Sequence, residues 1–310
     1  MAGYLLVLAA AALWSLLGVL SRGALDAGVQ PLEIAFWRAG IGGAAFVVHA
    51  LATGSLRLQR RRDGITFAGF SLLGVSLFYV ALVAAIDSGG ISLAFVLLYT
   101  APAFVALLAR PLLGEPLTRR KLALVAVAMA GVALVAQDHG HGITATPTSL
   151  GWGLLSGVAY ASYYLFGKWI LRRYRPEAVY AFVMPLGALG LLPLVDFQPK
   201  APAVWALLLV MGLLSTYAAY FVYYTGLRRV EASRAVLVAT VEPVLASLLA
   251  AAFYGERFGA AGLAGGACIL TAAALAALSG SGPGADRPPA PGRTGADGPS
   301  AAIDAAGEGR

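Results

Sequence analysis

Apolar residues occur along the chain in long blocks that are separated by glycine, proline or charged residues. A helix of about 20 apolar residues crosses the roughly 30 Å hydrocarbon core of a bilayer. Strict alternation of apolar and polar residues is rare, which disfavours a β-barrel. The pattern therefore predicts an all-α membrane protein with ten transmembrane helices, at about 4–21, 32–53, 66–86, 91–112, 120–137, 150–171, 177–195, 203–227, 232–253 and 258–279.

Composition agrees with this pattern, since 59% of the residues are hydrophobic and 12% are charged. Soluble domains carry about 25% charged residues, so an ordinary soluble domain is excluded. The single cysteine, Cys268, lies in an apolar block, which excludes a disulfide framework or a cysteine metal site. The N-terminus runs into the first block without a basic region, and we interpret it as the first helix rather than a cleaved signal.

Basic residues indicate the orientation. If the N-terminus is cytoplasmic, all but four of the 22 Lys and Arg residues fall in inner loops, adjacent helix ends or the C-terminal tail. The exceptions are Arg22, Lys200 and Arg257 outside and Arg38 within a helix. We expect both termini in the cytoplasm, and the net charge of +7 reflects topology rather than nucleic-acid binding.

The chain contains an internal duplication. The sequence YTAPAFVALLARPLLGE at 99–115 returns as TVEPVLASLLAAAFYGE at 240–256, and the same offset aligns Tyr79 with Tyr220. Five helices per half is an odd number, so the second half enters the membrane inverted relative to the first, a common plan for secondary transporters. We predict a first repeat at 1–137, an outer linker at 138–149 and a second repeat at 150–279, followed by a disordered cytoplasmic tail at 280–310.

Several motifs resemble the drug/metabolite transporter superfamily, specifically its ten-helix branch with two EamA-type repeats. They are Ala-Leu-Trp-Ser at 12–15, Phe-Trp-Arg at 36–38, and the prolines Pro102 and Pro243, each followed twelve residues later by Gly-Glu. The resemblance covers about 4–279. It implies a multi-pass inner-membrane carrier of small metabolites, often an exporter of amino acids or related compounds, with a substrate cavity between the inverted halves.

The second repeat departs from the first at one functional candidate. Phe182 lies near the place that would match Arg38, so a symmetric pair of arginines is not expected. Arg38 lies seven residues into the second helix. It either anchors at the membrane surface or pairs with Glu33 or Asp87, or it binds a substrate carboxylate through the bidentate guanidinium fork.

Glu242 is the main candidate for chemistry, because it lies near the middle of the ninth helix and its counterpart in the first repeat is Ala101. An intramembrane carboxylate costs about 2.5–3.5 kcal/mol and is therefore a functional candidate. Glu242 could bind substrate or exchange protons. It could instead bond backbone freed by Pro243, or face lipid.

Two prolines and several aromatic residues complete the candidate site. Pro102 and Pro243 should interrupt helices four and nine, which would allow close packing, line a site, or both. Trp14, Tyr79, Tyr99 and Tyr220 are the aromatic candidates for the cavity. Tyr220 also belongs to a stripe with Tyr223, Tyr224 and Leu227 on one helical face, a pattern that favours packing over a binding wall.

Other polar residues have simpler interpretations. Glu115 and Glu256 should lie at helix N-termini, where the helix dipole favours a carboxylate. Asp138, His139 and His141 lack a second ligand cluster, so we interpret them as a solvated loop and expect no metal and no cofactor.

The leading functional interpretation is a secondary transporter of small organic solutes that works by alternating access, exports its substrate and is coupled to protons. No phosphate-binding glycine loop is present, which disfavours an ATP-driven pump. A membrane-embedded enzyme is the first alternative, but it needs a converging nucleophile and base. A non-transporting membrane scaffold is the second. Two halves in one chain can form a complete pathway, so a monomer suffices and an oligomer is not required.

Overall fold

The computed structural model describes residues 1–138, 145–255 and 259–279, and all regular secondary structure in these ranges is helical. The all-α prediction is therefore confirmed. The described residues form ten helices in chain order: α1 (Ala2–Asp26), α2 (Pro31–Ala52), α3 (Arg61–Gly89), α4 (Ile91–Leu113), α5 (Arg119–Asp138), α6 (Pro147–Ile170), α7 (Pro176–Leu191), α8 (Pro202–Leu227), α9 (Ala232–Tyr254) and α10 (Ala260–Ser279).

Nine of these helices in the described ranges are long and apolar enough to cross a membrane, all except α6. Helix α6 has 24 residues, which is long enough, but serine, tyrosine and Lys168 lower its hydropathy. His139, His141, Glu256 and the tail at 280–310, about which the sequence makes predictions, lie outside the described residues, as does part of the proposed linker.

The ends of the helices follow local sequence rules. Proline, whose missing N–H costs nothing in the first turn, opens α2, α6, α7 and α8. Helices α4 and α9 each end at a glycine with positive φ, Gly114 at +74° and Gly255 at +68°. Only glycine adopts this left-handed conformation without a steric penalty, so these two residues stop both helices at equivalent places.

Helices α4 and α9 are interrupted at equivalent places. α4 consists of Ile91–Leu98 and Ala101–Leu113, and α9 consists of Ala232–Ala239 and Glu242–Tyr254. Pro102 and Pro243 are the second residues of the later segments, where proline is tolerated while the preceding backbone loses a hydrogen bond. The interruption of α9 brings Glu242 to the start of a helical segment.

A second pair of irregularities is not expected from the sequence. α3 contains a π-helical segment at Ser71–Leu77, and α8 contains one at Met211–Ala218. Such wide turns are rare and often occur at functional sites. The two segments are separated along the chain by nearly the same number of residues as Pro102 and Pro243. This irregularity of the first half is therefore repeated in the second.

Helices from the two halves pack against one another throughout the bundle. Four pairs of helices, each with one helix from each half, make the main contacts: α5 with α10, α2 with α7, α3 with α6, and α1 with α8. α5 and α10 are in close contact at Gly131 and Gly265, where a β-carbon on Gly265 would lie 2.5 Å from the Gly131 carbonyl oxygen. The repeats therefore interlock and do not form separate domains.

Candidate functional site

Glu242 lies at the start of the second segment of α9, beside the interruption. Its carboxyl group is within hydrogen-bonding reach of the hydroxyls of Tyr99 and Tyr160. Tyr99 is the residue at which the first segment of α4 ends, and Tyr160 comes from α6. Tyr160 also lies within reach of the Tyr164 hydroxyl. The partners that the structure gives this carboxyl are thus phenols from other helices rather than backbone of α9.

Arg38 approaches the same region from α2. The residue is 9% exposed, and its Nε donates to Thr216 Oγ1 at 3.4 Å. Its guanidinium carbon lies 5.6 Å from the centre of the Tyr79 ring, within the range of a cation–π contact. Arg38 is also close enough to Glu242 to act on it electrostatically. Thr216 belongs to the π-helical segment of α8, so that irregular turn positions the partner of Arg38.

The structure does not support the ion pair considered for Arg38. Among the described residues Arg38 has no carboxylate within 4 Å, and Glu33 instead pairs with Lys200. Glu33 is fully buried, and Lys200 lies 5.6 Å from the centre of the Trp205 ring. This pair joins the start of α2 to the segment before α8. The contacts of Arg38 are instead with Thr216 and the Tyr79 ring.

Aromatic rings lie near these two charged side chains. Trp14 of α1 meets Tyr220 edge-on with ring centres 5.3 Å apart and lies 5.1 Å from Tyr223. Tyr220 is within electrostatic range of Tyr79, Arg38 and Glu242. A cavity of about 10 Å³ is lined by Trp14, Tyr160, Tyr163, Tyr164, Tyr220, Tyr223 and Tyr224.

The six side chains that the sequence predicts for the site therefore border one central region, although each comes from a different helix. They are Trp14, Arg38, Tyr79, Tyr99, Tyr220 and Glu242. The sequence did not single out Tyr160, Tyr164 and Thr216 as site residues. Tyr160, Tyr163 and Tyr164 share one face of α6 through i, i+3, i+4 spacing, a signal that could have identified them. Thr216 carried no such signal, because its position depends on the π-helical turn. Within the described residues, no three His, Cys, Asp or Glu side chains come together in a way that could hold a metal ion.

A second buried carboxylate lies away from this region. Glu115 accepts hydrogen bonds from the backbone N–H of Ala232 at 2.6 Å, the N–H of Ser233 at 3.0 Å and the Ser233 hydroxyl at 2.5 Å. Its carboxylate therefore caps α9, a helix of the other half. Nearby, Lys121 pairs with Glu231 at 2.9 Å. A cavity of about 30 Å³ beside Lys121 and Arg234 belongs to this end of the bundle.

Comparison with known proteins identifies the family. The model of the EamA-like transporter family matches residues 1–137 and 148–278. The chain belongs to the EamA-like transporter family. It is accordingly a multi-pass membrane protein, and the resemblance noted in the sequence is confirmed.

Relatives of this EamA-like chain have similar lengths and partly informative names. It is 27% identical over 257 residues to an uncharacterized transporter of Bacillus subtilis, covering 81% of this chain and 86% of the relative. It is 30% identical over 234 residues to a probable terminal-alkyne amino-acid exporter of Streptantibioticus cattleyicolor, covering 72% and 77%. A solved crystal structure with 22% identity matches with a TM-score of 0.77 over 89% of this chain and 96% of the other, which shows the shared fold.

Proposed function

We propose that this EamA-like transporter exports small zwitterionic metabolites, amino acids or related compounds, by alternating access. The observation that carries the proposal is that Glu242 and Arg38, which have opposite charges, border one aromatic region inside the bundle. Glu242 would bind the substrate ammonium group, and Arg38 would bind its carboxylate through two parallel hydrogen bonds. The amino-acid exporter among the relatives supports this substrate class.

Proton coupling follows from the asymmetry of the halves. Glu242 has Ala101 as its counterpart, so the pathway offers one carboxylate at this level. A proton and a substrate ammonium group would then compete for the same carboxyl group. Release of the substrate on one side would allow a proton to take its place, and the carrier would return in the protonated form.

The proposed topology is that of two inverted five-helix repeats at 1–137 and 150–279, with both termini in the cytoplasm of the cell and the helices in its inner membrane. The distribution of Lys and Arg supports this orientation. Helix α6 would be the tenth span, and its hydroxyl-bearing face would be sheltered by α3 and α4, against which it packs.

Solute flux measured with the purified protein in proteoliposomes tests the proposal. Wild-type protein should move amino acids across the membrane without any other protein, which a scaffold or a membrane-embedded enzyme would not do. Glu242→Gln, which keeps the shape but removes the charge, should abolish pH-driven flux. Asp87→Asn, which changes an exposed carboxylate, is the matched control and should leave flux unchanged. Full flux with unaltered pH dependence in Glu242→Gln would contradict the proposal.

A further inference from the structure

Three polar groups on the wall of the central cavity have no hydrogen-bonding partner among the described residues. They are the indole N–H of Trp14 and the hydroxyls of Tyr163 and Tyr223. Trp14 is 7% exposed and Tyr223 is 1% exposed, so the surrounding solvent does not satisfy them. Buried polar groups are nearly always bonded, and an exception requires a specific explanation.

Trp14 and Tyr223 are neighbours among these groups, because their rings lie 5.1 Å apart and both line the cavity. The cavity, of about 10 Å³, has room for one atom of the size of a water oxygen. Tyr224, on the same wall, differs in that its hydroxyl donates to the Tyr163 carbonyl at 2.9 Å. A tyrosine here can thus find a protein partner, and Tyr223 is left without one.

The chemistry of the two groups limits what they can bind. An indole N–H only donates, and a phenol hydroxyl donates as well as accepts, so an oxygen acceptor satisfies both. The acceptor should be uncharged, because Glu115 lies within electrostatic range of Tyr223 and would repel an anion. The two groups are also distinct from the phenols that face Glu242, which are Tyr99 and Tyr160.

We propose that Trp14 and Tyr223 form a neutral hydrogen-bonding subsite that binds an uncharged oxygen on the substrate side chain. This inference rests on the proposed transport of zwitterions, whose ammonium and carboxylate groups would be bound by Glu242 and Arg38. The subsite selects a polar side chain over an apolar one of the same shape, because an apolar side chain would leave both donors buried and unpaired.

The test compares two pairs of amino acids that match in shape, L-asparagine with L-leucine and L-threonine with L-valine, as substrates of the purified protein in proteoliposomes. In each pair the ratio of kcat/KM should favour the polar member by about tenfold or more, since one lost hydrogen bond corresponds to about 1.4 kcal/mol. Tyr223→Phe and Trp14→Phe should each lower both ratios, chiefly by slowing the polar member.

Thermal unfolding without substrate provides a readout that a structural role would not produce. Tyr223→Phe removes a hydroxyl that has no partner, so its Tm should equal or exceed that of the wild type. Tyr224→Phe is the matched control. It removes a bonded hydroxyl from the same wall, and it should lower the Tm.

Each result separates this inference from the proposed function. Flux that depends on Glu242 but shows no preference within either pair would overturn the subsite and leave the transport proposal standing. A Tm of Tyr223→Phe that falls as far as that of Tyr224→Phe would also overturn it, because the hydroxyl would then serve the fold. Absence of flux for all four amino acids would overturn both proposals.

Discussion

Glu115 offers a quantitative test of how the two halves are held together. Its carboxylate accepts two backbone N–H groups and one hydroxyl at the start of α9, and the residue is 8% exposed. A hydrogen bond to a charged group contributes about 1.5–3 kcal/mol, and a helix cap about 0.5–2 kcal/mol. Glu115→Ala leaves the N–H groups of Ala232 and Ser233 buried, so we expect a loss of about 3–5 kcal/mol in the free energy of unfolding.

A graded series sharpens the test. Glu115→Gln keeps one acceptor oxygen but turns an amide N–H₂ toward a donor, so it should cost about 2 kcal/mol, close to one charge-assisted bond. Glu231→Gln, which changes an adjacent carboxylate that is only partly buried, is the control and should cost less than about 1 kcal/mol. Denaturant unfolding of the protein in detergent micelles measures all three.

Hydrogen exchange localises the effect. The amides of Ala232 and Ser233 should exchange faster in Glu115→Ala than in the wild type, because the carboxylate is the partner that the structure gives each of them. Unchanged protection of these amides, or a stability within about 0.5 kcal/mol of the wild type, would refute the reasoning. The cap would then be replaced by solvent.

Two further predictions concern ion pairs. Lys200→Met leaves Glu33 buried without its cation and should lower the free energy of unfolding by about 3–5 kcal/mol. The double variant Lys200→Met with Glu33→Leu should recover most of this stability in thermal unfolding. A double variant no more stable than Lys200→Met would contradict the prediction. Partial burial raises the pKa of Glu231, but Lys121 and Arg234 outweigh burial and hold that pKa below its usual value of 4.5. Glu231 therefore stabilises the fold above about pH 4.5 and loses this effect as the pH falls through its folded pKa. The stability difference between wild type and Glu231→Gln should accordingly shrink on acidification. A difference that is constant with pH would disprove the assignment.

Much of the fold could be predicted because hydrophobic blocks and prolines act locally. Block length set the helices to within a few residues, and Pro102 and Pro243 marked where α4 and α9 are interrupted. The repeated offset related the halves before any contact was known. Glycine at 114 and 255 marked the ends of these two helices for the same local reason.

The remaining features depend on contacts between distant segments. Thr216 meets Arg38 because a π-helical turn rotates it inward, and a single sequence gives no signal for such a turn. Lys200 takes Glu33 as its partner, a choice that depends on how the segment before α8 packs on α2. Glu115 was expected at a helix N-terminus, but nothing local indicated that the helix would be α9 of the other half.

The interlocking of the halves has a consequence for biosynthesis. α1 packs mainly on α8 and α9 and only slightly on α2, so the first helix made has its neighbours near the end of the chain. Chains are made from the N-terminus, and contacts between distant segments form late. α1 must therefore wait in the bilayer, with Trp14 uncovered, until about two thirds of the chain has followed. A chain truncated after α5 would lack most of the surfaces that α1, α2 and α3 pack against, which makes the first repeat an incomplete folding unit.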